Sequence, residues 1–164
     1  MRDMKRPTFD VRGFLGERER PASVATTTSR GNPALAMMWF VAEENRLWFH
    51  TPEAGDRPAP FLDAARLGRD VAVMVATFAP PDDVRQIRMT GPARLERKDV
   101  RRIRRIYERY IPAWTGTWAA HAASPEAVLW SMTPDRGMAV EYPGLENTPV
   151  FRWSSAVEYA RIGG

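Results

Sequence analysis

The most sharply patterned stretch of the chain runs from Leu35 to Thr51. An unbroken apolar run, ALAMMWFV, is followed by the polar break Ala42-Glu43-Glu44-Asn45 and then by RLWFHT. This predicts a β-hairpin. The first arm has no polar position to mark a wet face, so the expectation is burial on both sides. The second arm alternates, with Leu47, Phe49 and Thr51 on one face and Trp48 and His50 on the other.

The rest of the chain reads as what closes around this hairpin. Residues 1–9 look like a loose start. Asp10 caps a short helix through Phe14 and Leu15 to Arg20, stopped at Pro21. SVATTTS, from Ser23 to Ser29, is strand-like, and Arg30-Gly31-Asn32-Pro33 is a turn. Pro58 and Pro60 suit the first turn of a helix, because the N–H groups there lack intrahelical partners. Its apolar face is Phe61, Leu62, Ala65 and Leu67, and Gly68 ends it. VAVMVATF, from Val71 to Phe78, predicts a second buried strand before the turn Pro80-Pro81-Asp82-Asp83.

From Val84 to Leu95 the alternation is clean. Arg85, Ile87, Met89, Gly91, Ala93 and Leu95 share one face, and Gln86, Arg88, Thr90 and Arg94 the other. Asp99 then caps an amphipathic helix to Ile111, with a stripe of Val100, Ile103, Tyr107, Tyr110 and Ile111. Trp114, Trp118 and His121 fall in a looser segment. Ala127–Thr133 and Gly137–Tyr142 read as a last hairpin around Pro134-Asp135-Arg136, and a tail over 143–164 carries Phe151 and Trp153 as docking points.

The connections are too short for most parallel crossovers. The expected fold is therefore mainly β: one domain over 1–164, a small β-barrel with helices on its outside.

Composition narrows the chemistry. The chain has 164 residues and 44% apolar content, enough for a real core. It has no Cys, which removes disulfides, thiolate metal sites and thiol nucleophiles. Its two His residues lack carboxylates at ligand spacing, so no metal site is expected. No signal-peptide core and no apolar run of membrane-spanning length is visible, so the expected location is the cytoplasm, away from membranes. The net charge is +4 and the cations are almost all Arg. Arg101, Arg102, Arg104, Arg105 and Arg109 lie opposite the apolar stripe of one helix. With no aromatic residue interleaved among them, they read as a solvated face rather than a nucleic-acid site.

Three stretches carry a resemblance. MMWFVAEENRLWFHT, RQIRMTGPARLE and LWSMTPDRGMAVEY resemble, in this order, paired strands of the pyridoxamine 5′-phosphate oxidase-like split-barrel family, which binds flavin or deazaflavin. The resemblance spans about residues 10 to 142. It implies a split-barrel homodimer with the cofactor in a groove shared by two subunits. Met38, Trp39 and Phe40 would back the ring, His50 and Thr51 would lie near its edge and the ribityl phosphate, and Gln86 and Arg88 would reach toward the cofactor. Many members continue with Ser-Arg-Lys; this chain has Gly55-Asp56-Arg57, then Pro58 and Pro60. Only Arg57 keeps a charge suited to phosphate, and the prolines remove two N–H donors. The implied activity is FMN- or deazaflavin-dependent hydride transfer to or from a small-molecule substrate. The alternative is a non-catalytic module for a cofactor or haem. No catalytic side chain is assigned, because such a cofactor carries the electrons itself.

Overall fold

The apolar run does not form one hairpin arm. In the computed structural model, which describes residues 2–53, 55–142 and 148–162, it is cut at Trp39. The chain before the cut is β3 (Pro33–Met38), which pairs antiparallel with β2 (Ala22–Thr27). The chain after it is β4 (Phe40–Glu43), which pairs antiparallel with β5 (Arg46–Pro52). The hairpin is thus β4–β5. Its turn is Glu44-Asn45, with φ of 53° and 58°. Left-handed backbone at both turn residues matches the twist of the flanking strands.

The expected double-sided burial fails for β3. Leu35 and Met37 are 75% and 73% exposed, while Ala34, Ala36 and Met38 pack against the core. β3 ends its ladder, and among the described residues no other layer covers its outward face. The same correction applies to β6 (Asp70–Ala76), where Val71, Val73 and Val75 point inward and Ala72 and Met74 outward.

β7 (Arg85–Leu95) carries the alternation as expected: Ile87, Met89, Gly91 and Ala93 are buried. One edge pairs with β6. The other edge is shared, first by β9 (Arg136–Glu141) and then by β8 (Ala127–Met132). The expected β8–β9 hairpin is therefore corrected: the two strands do not pair with each other but follow one another along the same edge of β7. The link between them runs past Gly91 of β7, where a Cβ would fall 1.8 Å from the Thr133 carbonyl oxygen. This close approach requires a residue without a side chain.

The neighbours run β3–β2–β6–β7–β8–β5–β4, and the chain itself rejoins β4 to β3 at Trp39. The result is a mainly antiparallel wall that curls into a split barrel, with helices around it. Phe40, Leu47, Phe49, Ile87, Met89 and Trp130 fill the interior. The inner-face helix α2 (Pro60–Leu67) ends at Gly68 with φ 64°, as the sequence predicts. On the far side of β5, α3 (Val100–Glu108) and α4 (Gly116–Ala123) bury Trp48 with Ile103, Ile106 and Ala122. α4 occupies the segment expected to be loose. Thr115 precedes it without a side-chain cap bond, so the usual start signal is missing.

α3 begins where expected, with Asp99 accepting from the N–H groups of Arg101 and Arg102. Its stripe is shifted. Val100 is exposed, and Arg102 is only 8% exposed, lying 3.6 Å over the Trp48 ring and pairing with Glu44. Arg105 pairs with Glu43 and Arg104 with Glu108. Much of the basic face thus holds the β4–β5 turn.

The C-terminal end of α3 holds the bend. Arg109 donates to the carbonyls of Phe40 (2.6 Å), Leu15 (2.9 Å) and Glu17 (2.7 Å). The Tyr110 hydroxyl accepts from the Phe40 N–H at 3.2 Å and donates to the Arg20 carbonyl at 3.0 Å. The first helix, α1 (Val11–Gly16), is capped by Asp10 as expected but stops before Arg20. In the tail, residues 143–147 lie outside the described ones. β10 (Pro149–Trp153) extends the sheet beyond β9, and Trp153 is 3% exposed. β1 (Arg2–Met4) pairs parallel with β10, so part of the expected loose start has a ladder partner. The last helix is α5 (Ala156–Ala160). Among the described residues, no helix is long and apolar enough to cross a membrane.

Gly91→Ala is expected to cost about 1–3 kcal/mol or more through overpacking. Gly116→Ala, where a Cβ meets nothing within 4 Å, should change stability by less than about 1 kcal/mol. Urea unfolding of the two variants checks the contrast.

Candidate functional site

The seam where β3 hands over to β4 leaves a groove of about 410 Å³ between β3 and β5. Met37, Met38 and Trp39 form one side, His50 and Thr51 another, and Tyr107, Trp118 and His121 reach in from α3 and α4. Among the described residues, no Arg, Lys, Asp or Glu lines it.

The Trp39 ring is fixed from several directions. It stacks on Tyr110 with centroids 5.0 Å apart and planes 7° from parallel. Tyr107 meets it edge-on at 5.7 Å, and Trp118 lies tilted against it at 5.8 Å. Offset and edge contacts of this kind each add stabilisation beyond the area buried. The groove therefore has a rigid, flat, apolar wall.

Two polar groups sit beside that wall. The Thr51 hydroxyl accepts from Nε1 of the buried Trp130 at 2.8 Å, which leaves its own O–H as a donor. Nδ1 of His50 lies 2.7 Å from the Tyr107 hydroxyl. A phenol is a stronger donor than a neutral imidazole, so we assign Tyr107 as the donor and place the ring proton on Nε2. That nitrogen is buried, on the side of the Ala127 backbone. Burial pushes the His50 pKa down from 6.5 to about 4, opposed in part by the Ala127 backbone and reinforced by the charges of Lys98 and His121. Burial also raises the Tyr107 hydroxyl above its usual range. At neutral pH the pair is uncharged.

Of the residues expected at a site, Met38, Trp39, His50 and Thr51 come together in this groove. Phe40 does not: its side chain is fully buried beneath the Arg109 guanidinium, 4.5 Å from the ring centroid. The bend reverses the outlook of neighbouring residues, so Phe40 turns into the core. Gln86 and Arg88 lie on the same outward face as Met37, through the register Met37, Ser23, Met74, Arg88. Three strand spacings separate the two ends, about 14 Å. Arg57 is exposed on the loop between β5 and α2, outside the groove lining. Tyr107, Trp118 and His121 are the additions. Trp118 and His121 stand three apart on one helical face, a spacing that would have flagged them once α4 was taken as a helix. Among the described residues, no group of three or more potential metal ligands exists.

Comparison with known proteins is consistent with this architecture. A sequence profile described as pyridoxamine 5′-phosphate oxidase matches residues 10–141. No curated protein matches the chain in sequence. Among solved structures, a conserved hypothetical protein from Mycobacterium tuberculosis is 16% identical, with 94% of this chain and 90% of that one covered at a TM-score of 0.65. The haem storage protein HutZ from Vibrio cholerae is 17% identical over 87% of this chain and 99% of its own, at 0.61. An F420 reductase is 22% identical over 77% and 95%, at 0.56. At these identities the likeness is one of fold.

The His50 environment sets a pH dependence. The folded state disfavours the imidazolium, so this contribution to stability is complete above the unfolded pKa of about 6.5 and is lost as pH falls toward about 4. Between pH 7 and pH 5, before most carboxylates protonate, wild-type stability should fall more than that of His50→Gln. Urea midpoints at the two pH values give the comparison.

Proposed function

The chain belongs to the pyridoxamine 5′-phosphate oxidase family, and from that premise we propose that it binds the planar ring of FMN or a deazaflavin in the seam groove. There it acts as an oxidoreductase, moving hydride to or from a small molecule. The observation that carries this reading is the fixed wall of Trp39 with the Thr51 hydroxyl, whose own O–H is left to donate, beside it. A flat heteroaromatic ring with carbonyl acceptors matches both features.

The fit to the group is good at the ring and thin at the tail. Trp39 and Met38 would back the ring. The Thr51 hydroxyl would donate to an acceptor at its edge, with the His50 ring alongside. Once bound, the ring supplies the hydride chemistry. The protein orients it, and the apolar lining keeps water from its face. For the phosphate the lining offers no cation, and exposed Arg57 is the nearest expected contributor. Two prolines follow it at the start of the next helix.

The reading includes a homodimer acting in the cytoplasm. Leu35, Met37 and Met74 form an exposed apolar face at 75%, 73% and 38%, and a second copy is what would cover it. The partner copy would also bring its Gln86 and Arg88 toward the cofactor. A haem-binding, non-catalytic module is the second reading. It is favoured by the presence of both His50 and His121 in the groove lining.

Titration of the protein with FMN, riboflavin, a deazaflavin and haemin separates these readings. Saturable binding of an isoalloxazine or deazaflavin ring is expected. Riboflavin should bind within about tenfold of FMN, because an exposed cation adds at most about 1 kcal/mol. Trp39→Ala should weaken both. Binding of haemin alone would reverse the order of the readings. Light scattering tests the dimer: Met37→Glu combined with Leu35→Glu should give a folded monomer.

A further inference from the structure

His121 stands in the last turn of α4 and lines the seam groove beside Trp118, with ring centroids 5.9 Å apart. Among the described residues, its imidazole has no hydrogen-bond or ion-pair partner. The residue is exposed, so its ring meets water as well as the groove. The other polar side chains of the lining are committed. His50 Nδ1 and the Tyr107 hydroxyl meet at 2.7 Å. Burial takes the imidazole down to about 4 and raises the phenol, so both stay uncharged near neutral pH. The Thr51 oxygen accepts from Trp130, and a hydroxyl brings no charge of its own.

A hydride carries a negative charge with it. Delivered to a neutral ring in the groove, it leaves that charge against Ala36, Met37, Met38 and Trp39. Among the described residues no Arg, Lys, Asp or Glu lines the groove, and a charge held away from water without a counter-charge is costly. Imidazole is the side chain that takes up and releases a proton near neutral pH. The last turn of a helix is also where a positive charge is stabilised. The groups packed around His121 leave this role open. His50 of β5 and Tyr107 of α3 are neutral, and β8 carries no titratable side chain. Lys98 donates to the Ser124 carbonyl just past α4. Arg104 of α3 lies over Trp114 and pairs with Glu108.

We propose that His121 is the proton-carrying group of the seam groove: it takes a proton from water as hydride enters and releases it as hydride leaves. The inference rests on the ring reading above and adds the charge balance to it. The electron pair travels with the hydride, whose donor or acceptor is the small molecule of that reading. His121 forms and breaks only its own N–H bond, with water on the other side of the exchange. Each hydride brought in is thus matched by one imidazolium, and the groove stays neutral in both states.

The test compares the two redox forms of one probe, riboflavin, on the full chain. Flavin fluorescence reads the affinity for the oxidised form. The shift in midpoint potential on binding reads the difference between the forms. His121→Gln should weaken the reduced form about tenfold more than the oxidised form. His121→Arg, a permanent cation, should keep the preference for the reduced form. In the wild-type protein that preference should fade as pH rises from about 7 to about 9, and in His121→Arg it should not. A merely structural role would weaken both forms alike. Melting of the unliganded variants confirms that they fold; should His121→Gln not fold, the wild-type pH dependence decides. Equal loss of both forms in His121→Gln, no change in either, or a pH-independent preference in the wild-type protein overturns the proposal. So does a preference that His121→Gln retains, which would place the counter-charge elsewhere. If riboflavin does not bind at all, the ring reading fails and takes this inference with it; binding without a redox difference sinks this inference alone.

Discussion

The rest of the structure depends on how the backbone at Phe40 finds its hydrogen-bond partners. The chain leaves the β2 ladder at Met38 and enters the β5 ladder at Phe40. Partially buried backbone polar groups at such a transfer are costly when unpaired. Tyr110 takes the N–H, and Arg109 takes the carbonyl. Arg109 gives its remaining contacts to carbonyls at the end of α1, so one side chain ties three elements together. Burial lowers its pKa; the carbonyl acceptors compensate its charge in the absence of a carboxylate.

The same helix connects the closure of the barrel to the groove. One turn before the Arg109–Tyr110 pair, Tyr107 reaches His50 and meets Trp39 edge-on. Tyr110 lies flat under Trp39 while holding Phe40. The groove wall and the strand transfer therefore share one support. A ring held against Trp39 would rest on a surface whose orientation is set by the core, and this is the rigidity that positioning a planar cofactor requires.

What was legible in the sequence is what local chemistry decides. The Asp10 and Asp99 caps, the Gly68 stop and the alternation of β7 follow from neighbouring residues alone. The β3 and β6 strands were read as buried on both sides because apolar residues face outward on them as well as inward. Which side another layer covers is a tertiary fact. The β8–β9 pairing differs for a similar reason: Pro134-Asp135 between two strands does not reveal that both line up end to end on one edge of a third strand. The resemblance and the strand pattern both point to the stretch that brings Met38, Trp39, His50 and Thr51 into one groove. Phe40 belongs to that stretch but turns inward at a bend that an unbroken apolar run conceals. Trp118 and His121 read as part of a looser segment because their helix lacks a side-chain cap.

A crystal structure of the protein grown with riboflavin tests the seam most directly. Ring density parallel to Trp39, with an edge toward the Thr51 hydroxyl, is the expected result. Ring density on another face of the chain, or a seam closed by its own side chains while riboflavin is bound elsewhere, would contradict the claim that the strand transfer at Trp39 builds the binding surface.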